Sequence, residues 1–171
     1  MEKDINRLKL VSERFSKIGS QPEMKIENMV EIIDNLMAYM QRRTSSKIEW
    51  VKTLDTETED VMLPLNRHVF VWVLENLCKN AVDAMEGSGK VEISLIQHNK
   101  DIFLDISDTG KGLPKGAFKN IFKPGFTTKN RGWGLGLSLA KRIIENYHNG
   151  KIFVKHSVVG AGTTFRIHLK S

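Results

Sequence analysis

The chain has 171 residues, 40% of them hydrophobic, with 26 Lys and Arg against 20 Asp and Glu for a net charge of +6. This is enough for one well-buried core with a short helical appendage; the basic residues are scattered among acidic ones, which points to an anionic small ligand or an acidic partner protein and away from nucleic acid. The single Cys78 excludes an internal disulfide and a cysteine-built zinc site, and with neither an apolar run of roughly 18 residues nor a signal-peptide core in MEKDINRLKL, a reducing cytoplasmic setting is expected.

Ile5, Leu8, Val11, Phe15 and Ile18 recur at spacings of three and four, the stripe of an amphipathic helix that packs on a partner. GSQP interrupts it, and Pro22 predicts the first turn of a second helix with Ile26, Met29, Val30, Ile33, Met37 and Met40 on its apolar face. Alternation in KIEWVKTL and the run VMLPL predict two short strands, followed by a long helix over NRHVFVWVLENLCKNAVDAME that GSG ends. KVEISLIQ and DIFLDISD read as a hairpin turning at His98, Asn99 and Lys100. From Thr109 to Arg131 nothing is periodic, and a loop that long inside a compact domain is usually functional or disordered. The helix GLGLSLAKRIIENYH and the strands KIFVKHS and TTFRIHL complete the chain. Strands in runs with helices set to one side indicate an α+β two-layer sandwich, with a mixed, mostly antiparallel sheet and an N-terminal helical extension.

Four stretches carry chemistry. In DTGKG, at 108 to 112, Gly110 and Gly112 would let the main chain approach a flat ligand while Asp108 accepts from an amino group such as that of adenine; an ordinary glycine turn would read the same way. GWGLG, at 132 to 136, opens a helix whose first amides suit phosphate oxygens, or marks a close-packed helix start. Asn76 and Asn80 stand one turn apart on one helix face, where Asn80 has an oxygen suited to Mg²⁺ and either amide would serve equally as a satisfied buried group. In IFKPGFTTK, Pro124 and Gly125 bend the chain between Phe122 and Phe126, making either a mobile loop that carries Lys129 to a phosphate or a surface loop with anchoring aromatics.

The order of these pieces, ending in GAGTTF, resembles the ATP-binding catalytic domain of bacterial sensor histidine kinases, within the gyrase, Hsp90, histidine kinase and MutL ATPase superfamily; the likeness covers roughly residues 25 to 170. The resemblance implies the Bergerat ATP-binding fold over 21–171, with 1–20 as the end of the second helix of a dimerisation hairpin. It implies that Asn80 ligates Mg²⁺ and that Asn76 lines the phosphate site. Asp108 would bind the adenine amine, Gly110 and Gly112 would shape the base pocket, and Thr163 would support adenine through Asp108 or a water. Gly132, Gly134 and Gly136, with Leu135 and Leu137, would cover the phosphates; Phe122 and Phe126 would anchor a lid carrying Thr127, Thr128 and Lys129. Asp83 joins the nucleotide-binding set, Lys123 is a second candidate cation, and Trp133 would pack on the closed lid or on the protein surface.

In the hydrolytic relatives a glutamate four residues before the magnesium asparagine activates water. Asn76 occupies that position here, and an amide cannot act as a base. Glu75 is adjacent, but one residue turns about 100° around a helix, so a surface charge is expected there. The phosphoacceptor motif of the family, a histidine followed by an acidic residue on a dimerisation helix, is not matched by His68, His98, His148, His156 or His168. The resemblance thus implies a kinase domain that takes Mg·ATP and passes the γ-phosphoryl to a histidine outside this chain, for relay to a response regulator, in a homodimeric parent that is either soluble or membrane-anchored. A hydrolytic ATPase of the same superfamily and a nucleotide-dependent protein-binding module are the alternatives.

Overall fold

The computed structural model describes residues 23–57, 59–126 and 135–171. In chain order it contains β1 (Lys25–Asn28), α1 (Met29–Arg43), β2 (Ile48–Asp55), β3 (Met62–Leu65), α2 (Arg67–Ala84), β4 (Gly89–His98), β5 (Asp101–Asp108), α3 (Gly136–Arg142), β6 (Lys151–Val158) and β7 (Gly162–Lys170). Five strands form one sheet in the order β2-β4-β5-β7-β6, where β2 runs parallel to β4 and the other pairs are antiparallel. β1 and β3 make a separate two-stranded ribbon.

The core lies between one face of the large sheet and the three helices. Val91, Ile93 and Leu95 of β4, Ile102, Leu104 and Ile106 of β5, and Phe165, Ile167 and Leu169 of β7 all point into it, the alternation expected of strands buried on one side. From the other layer come Ile32, Ile33, Leu36 and Met40 of α1 and Phe70, Val73, Leu74, Leu77 and Ala81 of α2, at helical spacings. The opposite face of the sheet is polar: Arg166 grips Asp105 with two bonds of 2.8 and 2.9 Å and lies 4.5 Å over the Phe103 ring.

The two-layer sandwich and the mixed sheet agree with the sequence reading, but three boundaries differ. The second helix starts at Met29, not near Pro22, because Asn28 caps it by accepting the Val30 N–H at 3.0 Å while residues 25–28 pair with β3. Ile26 therefore sits on the ribbon, 64% exposed, and not on the apolar face of a helix. The aperiodic stretch after Asp108 contains two short 3₁₀ turns, Lys115–Ala117 and Asn120–Phe122, and the last helix widens after Arg142 into a π turn over Ile143–Tyr147. The expected first helix, residues 1–20, lies outside the described residues.

Candidate functional site

α2 presents the two asparagines. Asn66 caps its start by accepting the Val69 N–H at 3.3 Å, and its own N–H donates to His148 Nε2 at 3.2 Å. His148 in turn lies 3.0 Å from the Ile143 carbonyl through Nδ1; since Nε2 accepts, Nδ1 carries the proton. Burial pushes the His148 pKa below the ordinary value, against the pull of that carbonyl.

Asn76 and Asn80 are both half-buried on α2, as their spacing predicts. Asn76 Nδ2 is sealed from solvent with no hydrogen-bond partner among the described residues, while Gly136, at the start of α3, lies against the same carboxamide. A Cβ on Gly136 would come within 2.7 Å of Asn76 Oδ1, so this glycine is needed for closeness to the amide. An orphaned amide donor is costly in a packed protein, at about 1–3 kcal/mol, and marks a place where an acceptor is wanted. Glu75, expected at the surface, is only 8% exposed. α2 packs against the sheet, α1 and α3 together, so its solvent-facing strip is too narrow to include that position. Burial, reinforced by Glu75, raises the Cys78 thiol to about 12, which leaves that cysteine inert. Asp83 is exposed at the last turn of the helix.

Asp108 ends β5 with 9% of its surface exposed. Its Oδ1 accepts the Gly110 N–H at 2.8 Å and the Thr163 N–H at 3.4 Å. Its Oδ2 has no protein partner among the described residues, yet it is not sealed from solvent. Burial raises the Asp108 pKa, and the two backbone donors oppose that rise. The glycines around it set close backbone approaches. A Cβ on Gly110 would fall 2.6 Å from the Ala84 carbonyl oxygen at the end of α2, and one on Gly112, at φ +73°, would collide with the Val158 carbonyl at the β6–β7 turn. Lys111 stitches these parts together, donating through its N–H to Ala84 O at 3.0 Å and accepting from Gly160 N at 2.7 Å.

Thr163 is thus in the site, joined to Asp108 by its backbone; its hydroxyl pairs with Ser157 at 2.8 Å. The sequence reading missed Ser157. Ile152 and Val154 point into the core, and continued alternation would turn His156 inward and Ser157 out. A bulge between Val154 and His156 reverses the phase, so Ser157 is buried opposite Thr163. The only signal in the sequence was the unusual polarity of KHS beside a glycine turn.

Phe122 is buried against β7, edge-on to Phe165 at 6.1 Å, with Lys141 over its ring at 5.8 Å. Phe126, expected as a second anchor, is 38% exposed, because the Pro124–Gly125 turn carries it past the end of the core. Lys123 is exposed, Leu135 is exposed and Leu137 is half-buried. Thr127, Thr128, Lys129, Gly132, Trp133 and Gly134 lie outside the described residues. Of the five histidines, His68, His98 and His156 are exposed, and His168 binds Asp101 at 2.7 Å.

Residues 66–171, from the cap of α2 to the end of β7, match the family described as histidine kinase-, DNA gyrase B- and HSP90-like ATPase. The chain belongs to this ATPase family. The signal transduction histidine-protein kinase AtoS of Escherichia coli (strain K12) is 35% identical over 150 residues, 86% of this chain and 23% of that protein. Sporulation kinase A of Bacillus subtilis (strain 168) is 27% identical over 96% of this chain and 27% of its own length. Among solved structures, the nucleotide-free catalytic domain of histidine kinase ThkA superposes with a TM-score of 0.75 at 28% identity, covering 86% of this chain and 95% of that one. The chain spans about a quarter of the length of these curated relatives. Membership in the ATPase family gives the chain a ligand class: an adenine nucleotide.

Proposed function

We propose that this domain binds Mg·ATP between α2 and the β5–β7 ends and presents the γ-phosphoryl to a histidine imidazole on a dimerisation domain, for relay to an aspartate of a response regulator. The observation that carries the reading is the divided carboxylate of Asp108, with one oxygen held by two backbone amides and the other left for the C6 amine of adenine. The unsatisfied Asn76 donor suits a phosphate oxygen at the far end of the same nucleotide.

Asn80 fits Mg²⁺ by donor type, as a neutral oxygen one turn from Asn76. Among the described residues no group of three His, Cys, Asp or Glu could hold a metal alone, so phosphate oxygens and water would complete its shell. Bound Mg²⁺ would supply neutralisation of the triphosphate charge. Phosphoryl transfer depends mainly on positioning and charge stabilisation. Asp108 and Gly110 orient the base, Asn76 holds a phosphate oxygen, and Lys129 is the proposed cation of the lid. The AtoS, sporulation kinase A and ThkA likenesses support kinase chemistry, and a structure of ThkA with the response regulator TrrA shares this fold at a TM-score of 0.75 and 24% identity. A homodimeric parent with this domain in the cytoplasm completes the proposal.

Titrating Mg·ATP into the purified chain in a calorimeter tests the reading. A saturable heat with a flat baseline is expected, and Asn80→Ala should abolish the gain in triphosphate affinity that Mg²⁺ confers. A sustained baseline shift proportional to protein would replace the kinase with a hydrolytic ATPase, and absence of heat would refute nucleotide binding.

A further inference from the structure

Resting on the adenine-nucleotide reading, we infer that Ser157 is a positioning residue: it holds the Thr163 hydroxyl as a hydrogen-bond acceptor, and so makes the pocket select a purine with an amino group at C6 over one with a carbonyl there.

The hydrogen inventory of three groups carries this. Ser157 Oγ lies 2.7 Å from the Leu113 N–H, 3.1 Å from the Gly162 carbonyl and 2.8 Å from Thr163 Oγ1. A serine hydroxyl has one hydrogen and two lone pairs. The Leu113 amide can only donate, so it takes one lone pair. The Gly162 carbonyl can only accept, so it takes the hydrogen. One lone pair remains for Thr163, which must therefore donate to Ser157. With its hydrogen committed in this way, Thr163 Oγ1 can only accept from anything else.

Thr163 is adjacent to Asp108, its backbone N–H meeting Oδ1 at 3.4 Å, and Asp108 Oδ2 is also an acceptor when ionised. Both oxygens therefore offer only lone pairs to a ligand. An exocyclic amine, offered directly or through a bridging water, satisfies them; a C6 carbonyl meets only lone pairs. Sites built around a hydrogen-bonding group reject analogues that cannot make the bond far more strongly than apolar pockets discriminate by size. Ser157 also links the two segments that carry them, since Leu113 follows DTGKG and Gly162 opens β7. Because the Lys155 bulge is what turns Ser157 inward, the irregularity in β6 has a use at the site.

The test compares ADP with inosine diphosphate, whose base carries a carbonyl at C6 and a hydrogen on N1, by titration calorimetry. Wild type is expected to favour ADP by at least about a hundredfold. Ser157→Ala takes away the acceptor of the Thr163 hydrogen, so that hydroxyl can turn and donate to a C6 carbonyl; the ADP preference should fall by about tenfold, equivalent to one hydrogen bond. Reading the ratio of affinities matters, since a smaller folded fraction weakens both ligands equally. Ser157→Thr, which keeps the hydroxyl, should restore the ratio. Thr163→Val leaves the Ser157 links to Leu113 and Gly162 in place and should lower the ratio by a similar factor, which carries the test should Ser157→Ala not fold. An unchanged ratio in either folded variant overturns the role given to Ser157 while leaving adenine binding intact. Failure of the wild type to bind ADP overturns the nucleotide reading and this inference with it.

Discussion

Replacing Asp108 with Asn separates ligand recognition from stability. The substitution preserves Oδ1, which accepts from Gly110 at 2.8 Å and Thr163 at 3.4 Å, and exchanges Oδ2, without a partner among the described residues, for an amide donor. In the free protein, burial opposes the ionised form and raises the pKa of Asp108, so its contribution to stability is greatest below the ordinary carboxylate range and declines as pH rises through the raised value. At neutral pH the neutral amide therefore costs nothing in folding. A melting temperature equal to or above that of the wild type is expected, with any decrease below about 4 °C. Binding should move the other way. A hydrogen bond to a charged acceptor is worth about 1.5–3 kcal/mol, so its loss weakens ADP by about tenfold to a hundredfold, and opposed N–H groups add to the loss. Calorimetric titration with ADP and thermal unfolding of the same sample measure both effects. Unchanged ADP affinity would remove Asp108 from the base site, and a fall of many degrees in the melting temperature would show that its charge serves the fold.

The orphaned amide gives a parallel expectation: Asn76→Leu should stabilise the ligand-free domain by about 1 kcal/mol, read by urea unfolding, while weakening ATP more than adenosine. Gly110→Ala must widen a 2.6 Å approach to the Ala84 carbonyl beyond 3.0 Å, and this displacement should cost about 1–3 kcal/mol in stability and loosen ADP binding. His148 is held neutral by burial and accepts from the cap of α2, so its contribution is complete above the ordinary histidine value near 6.5 and is lost as pH falls through the lowered one. Stability should consequently decline below about pH 6.5, and His148→Gln should flatten that decline in unfolding curves measured across pH.

How much of this was legible depended on whether neighbouring residues in sequence were neighbours in space. α2 was readable from its apolar spacing and the Asn66 cap, and the β4–β5 hairpin from strict alternation up to Asp108. Asp108, Gly110 and Thr163 came from glycine placement and family resemblance, and the structure brings them together. β1 escaped because KIEN has one apolar residue in four and pairs with a segment more than thirty residues away, which no local pattern reports. Glu75 was misjudged because helix α2 is enclosed from three sides, a property of the layers and not of the helix. Ser157 was hidden by a single unpaired residue that shifts the phase of a strand, and Phe126 by a turn whose direction its residues do not specify.

The place of β7 has a consequence for the birth of the protein on the ribosome. This strand follows all the others in the chain, yet it lies inside the sheet between β5 and β6, and its first residues, Gly162 and Thr163, complete the surroundings of Asp108. While the nascent chain is still short of residue 162, β5 has an unpaired edge, and the proposed base site has only part of its walls. If nucleotide binds at that site as proposed, its binding energy becomes available to the emerging domain only after β7 has joined the sheet. Folding must reach the hairpin first, and until then chaperones that shield exposed strand edges have a longer task than the size of the domain would suggest.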